Sequence, residues 1–424
     1  MSEPGSPRWR RAEAGRLLAF GRAAALPGGG FGWLNEAGEI DPAQPCPLYL
    51  NARMTYVFAL AHLQGTGDAG TLAASGLAAL ASRYADRDHG GFFASIDVAG
   101  RVLDATKANY AHAHTLLAAA SAVAAGLPEA EPALAAAAAA IERHFWSDAE
   151  GCALESWDAG FTESEPYRGA NSNMHSVEAY LAAADATGDP VWRDRAASIS
   201  ARLIDGHARA NAWRVPEHYD ENWRPRPDYN QDRRNDQFRP YGTTPGHSFE
   251  WARLLLTLEA AQQAVQQAGQ PAPPAWLPEA ATALFDRAVA DAWRRDGHPG
   301  FVYTVDEDGQ PVVTARLHWV ACEAGLAADA LHRRTGEGRF AALAAQWWDE
   351  IDRYFLDREG GSWWPELDPD MTPATSTWSG KPDLYHSYQA VLLPSLPLSP
   401  TAATALARGP RPAGRSAGGS PRTF

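Results

Sequence analysis

Short segments built on glycine, aromatic and alternating residues recur between stretches of helical periodicity. That recurrence limits the fold of this chain more than any other feature. Four are clear: Asp88–Asp97 around Gly91, Asp148–Trp157 around Gly151, Asp296–Asp306 around Gly300, and Asp357–Glu366 around Gly361. A weaker one runs from Ala212 to Trp223. Gly91 and Gly151 are about sixty residues apart, as are Gly300 and Gly361, so the repeating unit is helix, hairpin-like excursion, helix.

Almost everything else has apolar residues at helical spacing. About twelve helices are predicted, near 8–26, 48–64, 69–85, 107–126, 129–146, 171–187, 190–207, 246–268, 276–295, 315–335, 337–356 and 383–394. Gly188-Asp189-Pro190 and Thr244-Pro245-Gly246 mark stop–start points between them. The even-numbered helices carry polar residues in their early turns: Asn51 and Arg53; Asn109, His112 and His114; Asn171, Asn173 and His175; His247 and Glu250; Arg316, His318 and Glu323; Asp383, His386 and Gln389. A helix that is polar at its start and apolar beyond has a wet mouth and a dry base. Six helix pairs closed into a ring, with the even helices inside, would bring those mouths together as one concave pocket. The expected fold is all-α, an (α/α)6 barrel of about twelve helices with short β-hairpin excursions at one end. Residues 1–399 are read as a single catalytic domain. From 400 to 424 Ala, Pro, Gly, Arg and Ser replace the periodicity, and a disordered tail is expected.

Bulk properties narrow the function. The net charge of -14 argues against nucleic acid or an anionic membrane as partner. No run of about eighteen strongly apolar residues is present to span a bilayer. The basic and apolar start, residues 8–26, is broken by Arg16, Arg22 and glycines, so no export signal is expected. Cys46, Cys152 and Cys322 form no CxxC pair, which fits a reducing cytoplasm. Sixteen tryptophans raise the prospect of a carbohydrate ligand, since sugar C–H groups pack on aromatic faces. Outer helix faces show no clear stripe, leaving monomer and homo-oligomer equally open.

Three histidines, His175, His247 and His386, start inner helices. His247 and Glu250 share a helix face, and a carboxylate there can orient an imidazole or raise its pKa. His386 follows Asp383, a candidate N-cap, by three residues. Singly, each has an ordinary structural explanation, as a cap, a solvated pair or, for Arg53, a buried ion pair. Together, at equivalent points of a repeat, they point to a site. A zinc site from His175, His247 and Glu250 has no HExxH or paired-cysteine motif behind it, and no metal is expected. Walker, GxGxxG and GxSxG motifs are missing, so no cofactor is expected either. Imidazole moves protons near neutral pH. The hydrogen on C2 of an open-chain aldose is weakly acidic, and the enediolate left by its removal needs a cation or hydrogen-bond donors. Arg53 and His175 could stabilise that charge while His247 and His386 move the protons.

The stretches Asn51-Ala52-Arg53-Met54-Thr55, Asn173-Met174-His175 with Glu178-Ala179, Gly246-His247 with Glu250-Trp251, and Gly380-Lys381-Pro382-Asp383-Leu384-Tyr385-His386 resemble the N-acylglucosamine 2-epimerase superfamily, in order, over roughly residues 30–395. Tyr167 to His175 is most similar to its aldose–ketose isomerases, which act on mannose or sulfoquinovose. The resemblance implies a cofactor-free isomerase of D-mannose, or of a close analogue such as D-lyxose, working through a cis-enediolate on a free monosaccharide. It implies His247 and His386 as catalytic acid/bases, with Glu250 assisting. Arg53, Asn171, His175, Trp319, Glu323 and Gln389 would bind substrate, as would Tyr49, where many relatives carry tryptophan. Sulfoquinovose isomerisation and 2-epimerisation are the alternatives within the superfamily. A glycoside hydrolase and a non-catalytic binding protein are the alternatives outside it.

Overall fold

The computed structural model describes residues 2–266 and 272–409. Thirteen helices are present among them. The inner set is α2 (Leu48–Leu63), α4 (Asn109–Ala124), α6 (Ala170–Thr187), α8 (Pro245–Gln266), α10 (His318–Thr335) and α12 (Tyr385–Leu392). Each packs on the next and α12 packs back on α2, closing the ring. The outer set is α1 (Pro7–Gly21), α3 (Ala69–Ala79), α5 (Ala130–Ala140), α7 (Pro190–Ser200), α9 (Trp276–Ala292) and α11 (Gly338–Glu350). The fold is the (α/α)6 barrel. Burial explains the assignment of layers. Helix α2 is buried on every face from Leu48 to Ala61, whereas α11 buries only Phe340, Trp347 and Trp348. None of the described helices is long and apolar enough to cross a membrane.

Each connection from an outer to an inner helix makes two tight turns. The second is closed by an Asn or Asp whose side chain accepts from backbone N–H groups further along the turn: Asn35, Asp97, Asp158, Asp220, Asp306 and Asp368. The repeat is therefore sixfold, beyond the four clear copies and one weaker copy legible in the sequence. In the first turns Gly91, Gly151, Gly300 and Gly361 all have positive φ, between 62° and 85°, which is why glycine recurs there.

The excursions are not isolated hairpins. The residues just before each inner helix pair with the excursion of the next unit. Cys46–Pro47 pairs with Ser95–Ile96, Lys107–Ala108 with Ser156–Trp157, Tyr167–Gly169 with His218–Asp220, and Arg316–Leu317 with Glu366–Leu367. Thr243 bridges Val305, and the Lys381 N–H donates to the Leu34 carbonyl, completing the circle. Ion pairs of a buried cation staple four of the excursions: Lys107–Asp86 at 2.8 Å, Arg168–Glu150 at 2.8 Å, Arg316–Asp296 at 2.7 Å and Lys381–Asp357 at 2.5 Å. The mouth of the barrel is thus a rigid backbone ring.

One unit departs furthest from the pattern. Asp220 lies 25 positions before Pro245, the start of its inner helix, against 12 from Asp97 to Asn109. The additional chain folds over the mouth and is tied down by Arg239, which makes 2.7 and 2.8 Å bonds to the two oxygens of Glu165.

The expected disordered tail is corrected in its first ten residues. Ala402–Arg408 is a helix, α13, packed across the ends of α2, α4 and α6. The Thr401 N–H and hydroxyl both bond Asp185 at 2.6 Å. A seven-residue helix has little stability alone, and here the barrel base supplies the contacts that hold it. Residues 410–424 of that expectation lie outside the described residues.

Candidate active site

The inner helix starts converge on one pocket, with about 810 Å³ of space including its opening. Its wall takes Arg53 from α2, Asn171 and His175 from α6, His247 and Glu250 from α8, Trp319 from α10 and His386 from α12. Seven of the ten residues expected from the sequence therefore line a common cavity. The other three lie one layer out. Glu323 and Gln389 are fully buried beneath the floor. Tyr49 sits behind the wall, edge-on to Tyr110 and Phe238 at 5.8 and 5.4 Å.

Each of the two histidines expected to be catalytic is backed by a carboxylate. His247 Nδ1 lies 3.0 Å from both oxygens of Glu217. His386 Nδ1 lies 2.9 Å from Glu323. A carboxylate on Nδ1 fixes the ring and leaves Nε2 to exchange protons with a ligand. The Trp319 ring lies between the two imidazoles, 5.2 Å from His247 and 5.6 Å from His386. Burial pulls the His386 pKa below the usual histidine range, with the bond to Glu323 working against it.

Arg53 is held from three sides. Its Nε donates to His114 Nε2 at 3.0 Å, one Nη to the Tyr110 hydroxyl at 2.6 Å, and the other faces Asp383 at 3.3 Å. Burial lowers its pKa, but the tyrosines and Asp383 outweigh that and keep it cationic. Asp383 is not the N-cap the sequence suggested, since Leu384 takes that position, but it accepts from the Tyr385 N–H at 3.0 Å and pairs with Arg53 at once. Burial raises the Tyr110 hydroxyl pKa to about 12, so it remains a donor.

Beneath the pocket, Arg253 stands among three glutamates: Glu323 at 3.0 Å, Glu250 at 3.5 Å and Glu178 at 3.7 Å. Burial pushes Glu323 up, but Arg253 and His386 reverse this and hold its pKa below the ordinary value. Burial and neighbouring Glu323 push Glu250 well above it. His175 Nδ1 has no hydrogen-bond partner among the described residues and lies 3.8 Å from Glu250; burial and Arg53 hold the ring neutral. The trios His175, Glu178, Glu250 and Glu250, Glu323, His386 are close enough to share one ion. Their glutamates already face the guanidinium of Arg253.

Several polar residues of the inner helix starts prove structural. Asn51, Asn109 and Asn173 tie neighbouring segments together through their side-chain amides. His112 accepts from the Phe92 N–H, and burial lowers its pKa to about 4. Conversely, Glu217, Arg253, Tyr110, Phe238 and Trp378 escaped the sequence reading. Arg253 had a signal: it lies three residues after Glu250 and six after His247, a charge in an otherwise apolar inner-helix turn. Glu217 had none.

Two catalytic-type imidazoles, a cation and a set of neutral donors around a sugar-sized pocket suit proton transfer on a polyol. Comparison with known proteins agrees. The N-acylglucosamine 2-epimerase (GlcNAc 2-epimerase) family profile matches residues 29–390. A D-mannose isomerase of Thermobifida fusca is 50% identical over 94% of this chain and 96% of its own. Another, from Pseudomonas cannabina pv. alisalensis, is 47% identical over 96% and 97%. A crystal structure of a D-mannose isomerase superposes with a TM-score of 0.83 at 29% identity, covering 92% of this chain and 98% of that one. The chain belongs to the N-acylglucosamine 2-epimerase family.

Proposed function

We propose that this protein is a D-mannose isomerase, interconverting D-mannose and D-fructose without a redox cofactor. The observation that carries the reading is the pair of carboxylate-backed histidines, His247 with Glu217 and His386 with Glu323, facing one pocket on either side of Trp319. One histidine would open the sugar ring by moving a proton between O1 and O5. The other would take the proton from C2 and return it to C1. Arg53, the Tyr110 hydroxyl and His175 would stabilise the enediolate between these steps. Three buried unpaired cysteines fit a protein that works in a reducing compartment.

Charge in the pocket favours a neutral sugar over one carrying phosphate or sulfonate. Arg53 and Lys381 are the cations on its wall among the described residues, and each already faces a carboxylate, Asp383 and Asp357 respectively. An anionic group at C6 would have to share one of these two cations with its carboxylate, and Arg53 already serves the enediolate. A hydrolase would need two carboxyl groups straddling a glycosidic bond. Here Glu178, Glu250 and Glu323 crowd around Arg253 instead.

The test is proton NMR of EDTA-treated enzyme with D-mannose in heavy water. Fructose with deuterium uptake is expected. Glucose in its place would make the protein a 2-epimerase, and unchanged mannose alongside turnover of sulfoquinovose would overturn the charge argument.

A further inference from the structure

Glu250 is the one carboxyl group of the floor cluster that also lines the sugar pocket. The groups facing it come from all six inner helices, with Tyr110 on α4. Arg253 is one turn along α8. His175 and Glu178 come from α6, Glu323 from α10, Tyr385 and His386 from α12, and Arg53 from α2. Three carboxyl groups thus share one guanidinium. Glu323 bonds both Arg253 at 3.0 Å and His386 at 2.9 Å. Glu178 accepts from the Tyr385 hydroxyl and from Gln389. Glu250 receives only a 3.5 Å bond from Arg253 among the described residues. A third negative charge in this buried cluster would lack compensation. Moreover, an ionised Glu250 would hold a proton on His175, whose free Nδ1 is 3.8 Å away.

We infer that Glu250 works as a neutral carboxylic acid that relays a proton between O2 and O1 of the enediolate, the step that separates aldose–ketose isomerisation from 2-epimerisation. The inference rests on the isomerase reading above. Its bookkeeping is complete without any co-reactant. When the base removes the C2 proton, negative charge settles on O1 while O2 keeps its hydrogen. The acid O–H of Glu250 protonates O1, and its other oxygen takes the proton from O2. Glu250 ends neutral, as it began. Negative charge now lies on O2, C2–O2 becomes the carbonyl, and the conjugate acid of the base delivers its proton to C1. An epimerase needs no such exchange, because O1 becomes a carbonyl oxygen again. A carboxylic acid kept neutral by its surroundings is suited to the task, being donor and acceptor in one group.

The experiment follows two rates in heavy water with D-mannose, deuterium entry at C2 and fructose formation, for the wild-type enzyme, E250Q and E250D. Glutamine can hydrogen-bond O1 but cannot pass on a proton. Fructose formation should fall about 100-fold in E250Q, while deuterium entry falls far less, and E250D should recover part of the fructose rate. Parallel loss of both rates, or unchanged fructose formation, would overturn the relay. Infrared difference spectra of wild type minus E250Q, in light and heavy water, should show a protonated-carboxyl band in the wild type. A missing band overturns the proposal irrespective of substrate. If the wild type leaves mannose untouched, the isomerase reading fails, and the band still decides whether Glu250 carries a proton.

Discussion

Replacing Glu217 by glutamine tests whether the His247 dyad acts in the chemistry. The side chain sits outside the sugar pocket, and both its oxygens are 3.0 Å from His247 Nδ1. It also accepts from the Thr244 N–H at 3.3 Å, just before α8 begins. Glutamine keeps the shape and one carbonyl acceptor, so the ring should stay in place. What disappears is the negative charge facing the imidazolium that forms when His247 takes a proton. A hydrogen bond to a charged group contributes about 1.5–3 kcal/mol. At 1.36 kcal/mol per factor of ten, kcat should fall by about 10- to 150-fold. Because Glu217 does not touch the sugar, KM should change little.

The assay is initial-rate fructose formation from D-mannose with purified E217Q, alongside a thermal unfolding curve to check the fold. A kcat within about twofold of wild type would show that His247 needs no charged partner, and the dyad argument would fail. A raised KM with unchanged kcat would move Glu217 to a binding role. Glu323→Gln offers the contrast. Glu323 also holds Arg253 at 3.0 Å, so that variant should lose both turnover and thermal stability.

Lys107→Met should destabilise the protein by about 3–5 kcal/mol, because it leaves Asp86 buried without its 2.8 Å partner; urea unfolding should show the loss, with D86N/K107M recovering much of it. Acid should weaken the fold early. Burial lowers His112 and His318 to about 4, so between about pH 6.5 and 4 the unfolded chain binds protons that the folded chain refuses. Each contributes a loss of up to about 1.4 kcal/mol per pH unit as pH falls through that window, measurable as a falling urea midpoint that is shallower in His112→Gln. Ending the chain at Leu396 removes α13 and both bonds to Asp185. Each of those charged bonds contributes about 1.5–3 kcal/mol, so calorimetry should record a lower melting temperature.

The barrel was legible because its inner helices carry no amphipathic compromise. Beyond polar first turns they are largely buried, as α2 is from Leu48 to Ala61, and six such helices alternating with half-exposed ones suit a closed ring. Boundaries failed where tertiary pairing overrode periodicity. Lys107 and Ala108 look helical, yet they pair with Ser156 and Trp157, and α4 begins at Asn109. The first helix stops at Gly21, short of the expected residue 26, because Ala25 bridges Phe31 and turns the chain toward the mouth. The tail misled for the opposite reason. Its composition suits disorder, and only the open base of the barrel makes Ala402–Arg408 a helix.

The site divides along the same physical line. His175, His247, Glu250 and His386 announced themselves as polar residues at the starts of apolar helices. Glu217 lies in an irregular segment, and it reaches His247 only because the Gly169–His218 ladder and the Thr243–Val305 bridge fix that segment beside α8. No local pattern encodes such a meeting. Protonation is further still from the sequence. Glu178, Glu250 and Glu323 are identical side chains in similar helical settings. The charges of Glu250 and Glu323 depend on how Arg253 and His386 are shared between them. Glu323 receives both Arg253 and His386 and its pKa is held down, whereas Glu250 is left with a single 3.5 Å bond and its pKa is pushed up. The group best placed to touch the sugar is therefore the one that keeps a proton to donate.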